Sequence, residues 1–361
     1  MIRSEFIKPL SYLLERIQKK ALAANEMIAD YMATHKFLKG PEKAQFLACV
    51  WFCIRNQAKI LYSFPDKTWT ERLESLGKKG LPDCSKAPQW VQWEVPEWLV
   101  AHIPEAEKEL PALLENPPII LRALGNREEV IQELKAENIA VEPTKRSPYG
   151  LVLKEFTNLK NTKVWKRGLI DVQDEGAQLL SLEIGVKEKQ SVFDFCAGAG
   201  GKSLIFAQIM HDKGFIQAYD ITPKKLFELV KRATRAHFHI IKIITKLEKP
   251  TKKFDHVVVD APCSGTGTWR RTPNMRWHLT EKQLAHIVRT QGEILNQAEQ
   301  YVKTGHFLSY ITCSLTKDEN EDQIDAFLKH HPNYRVIKQK RYSPVRTQTD
   351  GFFLCVMQKM S

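Results

Sequence analysis

No Cys-X-X-Cys occurs in this chain, and its seven cysteines are an odd number without framework spacing. A disulfide scaffold is excluded on that ground, and reduced thiols in a cytoplasmic protein are expected. No apolar run approaches the ~18–20 residues of a membrane-spanning helix, so no membrane partner is expected. The N-terminus has no apolar h-region followed by a cleavage site. Internal repeats and low-complexity tracts are absent as well. Acid is in short supply: 42 Asp and Glu stand against 54 Lys and Arg, a formal charge of +12. Such an excess favours polyanionic partners, nucleic acid before membrane.

What is present divides into three stretches. Up to about residue 65 apolar residues recur every three or four positions, as in SYLLERIQKKALAANEMIADYMATH, and a compact helical bundle is expected. Gly40-Pro41 breaks the pattern, and Pro41 suits the first turn of a second helical run. Cys49 and Cys53, one helical turn apart in that run, read as small core residues. Leu76 to Pro96, rich in Gly, Pro and Lys, reads as a linker, and the four tryptophans from Trp69 to Trp98 read as packing residues before base-stacking ones. IILRAL, NREEVIQELKAEN and YGLVLKEF then suggest a small α+β domain. From about Lys166, strands SVFDF, GFIQAYD, HIIKII, HVVVD, HFLSYIT and FFLCVMQK alternate with helices, the pattern of a doubly wound, mainly parallel α/β sheet. The domains expected are 1–88, 89–165 and 166–361.

In such a sheet the C-terminal strand ends share one crevice where ligands bind. Three loops should meet there. The first, Cys196-Ala197-Gly198-Ala199-Gly200-Gly201, follows a strand and opens a helix, so small residues let a ligand approach backbone N–H groups. The next strand ends at Asp220, placed to bind the two ribose hydroxyls of an adenosine cofactor. NAD and S-adenosylmethionine both fit this much. A P-loop does not, because Lys202 lacks the GxxxxG spacing before it. Asp194, before the glycines, is placed either to face a cationic methionine group or to cap.

The other two loops carry thiols, Cys263 in DAPCSGTG and Cys313 in SYITCSL. Two thiols beside a cofactor pocket suit covalent activation of a pyrimidine. A thiolate adds to cytosine C6, C5 becomes nucleophilic enough to take an electrophilic methyl group, and the thiolate is then eliminated. Asp260 is placed to act at N3, as a neutral acid if its pocket is dry.

At these residues the chain resembles the Fmu/Sun (NSUN-like) family of S-adenosylmethionine-dependent RNA cytosine-C5 methyltransferases. The likeness runs through DAPCSGTGTWRRTPNMRW, YITCSLTKDENE, DGFFLCVMQK and RGLIDVQDEGAQLLSL, and more loosely through HKFLKGPEKAQFLACVWFCIRNQAKI. It implies a Rossmann-like class I methyltransferase domain preceded by a short NusB-like helical domain and a small α+β domain. It implies Cys313 as nucleophile, Cys263 as the thiol that assists release, and Asp260 at the target cytosine and the cofactor. It also implies Lys202 as the residue arranging the aspartate or cofactor, Asp220 at the ribose, and Arg270, Arg271 and Pro273 beside the substrate strand. The partner implied is a structured RNA, ribosomal (16S) first and transfer RNA second, engaged by a monomer with the target base unpaired or flipped.

Two departures stand out. Gly198-Ala199 replaces the family's Ala-Pro, with Ser203 for Thr, and Thr245-Lys246 stands where the family places an Asp near the adenine. Weaker cofactor affinity is therefore expected, with Thr245 left to accept a hydrogen bond. A DNA cytosine methyltransferase leaves the Thr-Cys thiol unexplained, and a thiol oxidoreductase leaves the cofactor loop idle. A non-catalytic RNA-binding assembly factor is the rival that cofactor binding separates.

Overall fold

The computed structural model describes residues 2–35 and 40–361. Residues 36–39, part of the HKFLKGP stretch, lie outside the described residues. The chain falls into two compact units, Met1–Asn116 with Thr268–Leu284, and Pro117–Gly267 with Ala285–Ser361.

The first unit is helical, with helices Ser4–Lys19, Ala24–Thr34, Gly40–Arg55, Gln57–Ser63 and Trp69–Lys79. Phe6, Leu10, Leu13, Leu14 and Ile17 fall on one stripe of the first helix and are all buried. Cys53 joins that core, with Cys49 packed against its rim. Thr68 and Glu71 close a reciprocal capping box at the fifth helix. The stretch read as a linker is instead packed. Val91 and Val95 are buried, and the Glu94 carboxylate accepts from Ala58 N at 2.7 Å and Lys59 N at 3.1 Å. Burial raises Glu94 to about 7, against the pull of those two hydrogen bonds. Residues 268–284 are knit into this unit by side chains. Asn274 accepts from Ala24 N and donates to Leu22 O, while Arg276 donates to Glu94 O.

The second unit holds two sheets. Strands β1 (Ile119–Ala123), β2 (Val141–Pro143), β3 (Gly150–Leu153) and β4 (Ile170–Val172) pair antiparallel in the order β2-β3-β1-β4. β4 lies past residue 165, so this sheet takes its fourth strand from beyond the small stretch outlined by sequence. The larger sheet contains β5 (Ser191–Asp194), β6 (Phe215–Tyr219), β7 (Ile241–Ile244), β8 (Phe254–Asp260), β9 (Val302–Thr312), β10 (Tyr334–Tyr342) and β11 (Phe352–Lys359), ordered β10-β11-β9-β8-β5-β6-β7. Pairing is parallel from β7 through β9 and antiparallel at β11 and β10, a Rossmann-like arrangement. β5 has β6 on one side and β8 on the other, so the strand order reverses there and opens a crevice at the C-terminal strand ends. Phe193 locks the layers beneath, its ring centroid 5.0 Å from that of Phe254 and 5.0 Å from that of Tyr301.

Gly267 ends the thiol loop after β8 by backbone contact. Gly351 N donates to Gly267 O at 2.8 Å, and a Cβ on Gly267 would lie 2.3 Å from Gly351 O. The obstacle is main chain and cannot swing aside. Gly267→Ala should therefore cost about 2–3 kcal/mol, read as a lowered midpoint in thermal denaturation, whereas an alanine at Gly125, which meets nothing within 4 Å, should cost far less.

Candidate active site

Parallel pairing sets the geometry. Asp260 of β8 lies opposite Ile311 of β9, and Ala261 N donates to Ile311 O at 2.9 Å. Past that pair the chain runs on three residues to Cys263 and two to Cys313, and the thiols arrive together, Cys263 Sγ 3.2 Å from Cys313 Sγ. Cys313 N points at Cys263 Sγ from 3.4 Å. Both cysteines are free and half-buried. The hydrogen bond to Cys313 pushes the Cys263 thiol well up, with burial and nearby negative charge adding to it. Either sulfur of the pair can donate to the other across the 3.2 Å between them.

Beside the thiols, Lys202 Nζ donates to Asp260 Oδ2 at 2.5 Å. Burial pulls the Lys202 ammonium down, but Asp260 more than offsets it, so the net shift is upward and the amine stays charged. The Asp260 side chain is 35% exposed and ion-paired with Lys202.

A carboxylate that sequence reasoning passed over ties the two thiol loops together. Glu319 is fully buried. Its Oε1 accepts from Ser264 N at 2.8 Å and Gln291 Nε2 at 3.1 Å, and its Oε2 from the hydroxyls of Ser264, Ser314 and Thr316 at 2.5, 2.5 and 2.8 Å. Ser264 follows one thiol and Ser314 the other. An acceptor-only group with five donors is satisfied as a carboxylate. Next to it Asn320 accepts from Thr312 Oγ1 at 2.6 Å and donates to Ser314 O at 2.9 Å. The signal in the sequence was a Ser-Leu-Thr run followed closely by acid.

The glycine-rich turn borders a cavity of about 600 Å³. Cys196, Ala197, Gly198, Ala199, Gly201, Asp220 and Asp260 line it. Gly198 and Gly200 have φ of +55° and +85°, backbone that glycine adopts without strain. Asp220 is held at the rim, Oδ2 accepting from Gly198 N at 2.9 Å and Oδ1 from Thr222 N at 2.8 Å. Helix Glu281–Ala298 adds Thr290, Glu293, Ile294 and Gln297, residues too far along the chain for loop motifs to reveal. Gly200 and Lys202, also expected at the cofactor, are not among the residues that line the cavity. Thr245 is not brought into this cavity. β7 is the edge strand, and the chain after Ile244 lines a separate cavity of about 400 Å³ with Gln217 and Tyr301.

Asp194 is buried under the turn rather than facing ligand space. Its Oδ2 accepts from Ser203 Oγ at 2.6 Å, and nothing among the described residues donates to Oδ1. Burial pushes it up to about 7; the Ser203 hydrogen bond opposes that, and the Asp260 charge adds to it. The thiol of Cys196 is likewise pushed up by burial, so its part in the turn is steric. Arg270, Arg271 and Pro273 belong to the first unit. Arg270 and Pro273 are buried, Arg271 is half-buried, and Arg270 O accepts from Arg55 Nη2 at 3.0 Å. Two of the three expected strand contacts are therefore packing residues in this structure.

Residues 181–358 match the family described as 16S rRNA methyltransferase RsmB/F. Over 324 residues the chain is 29% identical to the probable ribosomal RNA small subunit methyltransferase B of Bacillus subtilis, covering 80% of this chain and 72% of that one. It is 32% identical over 281 residues to the corresponding protein of Synechocystis, covering 73% and 63%. The chain thus spans roughly two thirds of the length of these curated relatives. Among solved structures, PH0851 superposes with a TM-score of 0.81 over 99% of each chain at 22% identity, a likeness of fold.

Two measurements follow from the geometry. Glu319→Gln faces a donor amide against the five donors above and should cost about 2–3 kcal/mol, with loss of the close thiol pair read as faster alkylation of Cys263 by iodoacetamide. Asp194 has the opposite sign from an ion-paired acid. Its folded-state value of about 7 lies above the ordinary 3.8. Its contribution is fully present below 3.8 and is lost as pH rises through about 7. Urea titrations from pH 4 to 7 should show stability falling less steeply with pH in Asp194→Asn than in the unmodified chain.

Proposed function

We propose that this chain, which belongs to the Fmu/Sun (RsmB/F) family through residues 181–358, is an S-adenosylmethionine-dependent ribosomal RNA methyltransferase that acts on cytosine C5. The observation that carries the proposal is the pair of free thiols 3.2 Å apart beside the Lys202–Asp260 ion pair.

The cavity fits S-adenosylmethionine. Its volume of about 600 Å³ suits a cofactor-sized ligand. The Asp220 carboxylate offers acceptors to a vicinal diol, the turn from Ala197 to Ala199 bars nothing bulky, and Phe195, Ile221 and Pro262 give apolar walls. When bound, the cofactor supplies an electrophilic methyl group.

This chain's residues do the rest. Cys313 Sγ, as thiolate, bonds to C6 of an unstacked cytosine, and the displaced C5–C6 π pair shifts onto C5, conjugated through C4 with N3, which makes C5 nucleophilic. Lys202 holds Asp260 in place by its ion pair, leaving the second carboxylate oxygen for the base edge. After C5 has been methylated, its proton leaves to a base. The C5–H electrons re-form the double bond as the C6–S bond breaks and Cys313 departs as thiolate. Cys263 stands 3.2 Å from that sulfur with its proton in place, and by donating a hydrogen bond it stabilises the departing thiolate. Small-subunit (16S) RNA is the substrate that the named relatives favour, with the helical first unit as the RNA-binding part.

Cys263→Ala tests the assignment. With the release thiol gone, incubation with S-adenosylmethionine and 16S RNA should accumulate a protein–RNA band that survives denaturing electrophoresis. The band should vanish in the Cys263→Ala, Cys313→Ala double variant. A band that forms equally well without Cys313 would overturn the nucleophile, and one formed with transfer RNA in place of 16S RNA would overturn the substrate.

A further inference from the structure

Three guanidinium groups converge on Asp171 in β4. Arg232 Nη2 donates to Oδ2 at 2.5 Å, Arg235 Nη2 donates to Oδ1 at 3.2 Å, and the fully buried Arg122 stands 3.6 Å from Oδ2. Two of the three have evident packing roles. Arg122 donates to Gln208 Oε1 at 2.8 Å, and Arg235 lies over the Trp165 ring at 3.7 Å. Arg232 reaches the other way. Its Nη1 donates at 2.6 Å to the carbonyl oxygen of Ala199, in the middle of the glycine-rich turn.

The same helix, Pro223–Arg235, and the same strand end press on that turn at two further points. Leu229, one helical turn before Arg232, fills the space beside Gly200 so closely that a Cβ there would lie 2.4 Å from its Cγ. Gln173, two residues past Asp171, donates to Gly201 O at 3.1 Å. The helix is itself fixed against the approach to β4, since a Cβ on Gly168 would lie 1.7 Å from Arg235 O. The turn thus rests on a rigid frame built by β4 and one helix. At its centre, however, Gly198 and Ala199 have no ring to hold the backbone dihedral.

We propose that Arg232, steered by Asp171, is the positioning residue for the cofactor turn. It clamps the Ala199 peptide from behind by a charge-assisted hydrogen bond, so that the face lined by Cys196–Gly201 keeps its shape toward the cavity. The planar fork of arginine serves both acceptors at once, which one ammonium cannot do in the same geometry. This assignment rests on S-adenosylmethionine being the ligand of that cavity.

Calorimetric titration of the full chain with S-adenosylmethionine tests it. Arg232→Met keeps the aliphatic stem and loses both hydrogen bonds, and should raise Kd about tenfold. Arg232→Lys should raise it by a smaller factor. Lys231→Met, one residue away and paired at the surface with Glu228, should leave it unchanged. Adduct yield in the Cys263→Ala background at saturating cofactor should be the same with Met or Arg at position 232, because the clamp acts on binding. Kd equal to the unmodified chain's in Arg232→Met, whatever happens to its melting temperature, would reduce the residue to packing. If that variant does not fold, Arg232→Lys decides by the same criterion. An unmodified chain that binds no S-adenosylmethionine would overturn the cofactor assignment itself, and the clamp with it.

Discussion

Parallel pairing of β8 with β9, with Asp260 opposite Ile311, is the constraint from which the site follows. Parallel neighbours end at the same edge of a sheet, so chains leaving them start side by side and pointing the same way. Two cysteines placed two and three residues past that shared edge arrive within hydrogen-bonding distance. A one-residue slip in register would separate them by a strand step of about 3.3 Å. The reversal of strand order at β5 then opens the cavity alongside, so that thiols and ligand space share one rim.

Strand register brings the thiols near each other, and a buried negative charge keeps them there. Glu319 gathers donors from both loops and from the helix that roofs the cavity, the last through Gln291, which also donates to Pro262 O at 3.0 Å. Three of its donors are the short hydroxyl side chains of Ser264, Ser314 and Thr316, which lose little rotamer freedom on ordering. Charge is arranged by depth. Glu319 lies fully buried, Asp194 lies under the turn where burial favours its neutral form, and Asp260 faces partly outward on Lys202.

Much of this was legible in the residues, for identifiable reasons. β5, β6, β8, β9 and β11 are apolar runs bounded by turn residues, and the thiols sit just past two of them, so strand recognition alone predicted their meeting. β10 escaped notice because YRVIKQKRY is charged along most of its length, as suits an edge strand that must not recruit another. Val91 and Glu94 were hidden by a Gly- and Pro-rich surrounding that reads as linker but packs. Thr245 was assigned by family resemblance to an adenine-site position, and the path of the chain beyond an edge strand is not written in that strand. Arg270 was assigned by family resemblance, whereas its burial depends on the helical unit to which it belongs. Arg232 and Asp171 lie sixty-one residues apart and have no local pattern that links them.

The second unit is not a contiguous piece of chain. Four residues after Cys263 the polypeptide leaves it at Gly267, contributes Thr268–Leu284 to the other unit, and returns at Ala285. The excursion carries Trp269, Asn274 and Arg276, all buried where they are. A fragment cut at Pro117 to isolate the thiol-bearing fold would keep this excursion without the helices that cover it. It would expose the Trp269 indole and leave the Arg276 guanidinium without its Glu94 carbonyl. Separating the two units by a single cut is thus closed to this chain unless residues 268–284 are redesigned.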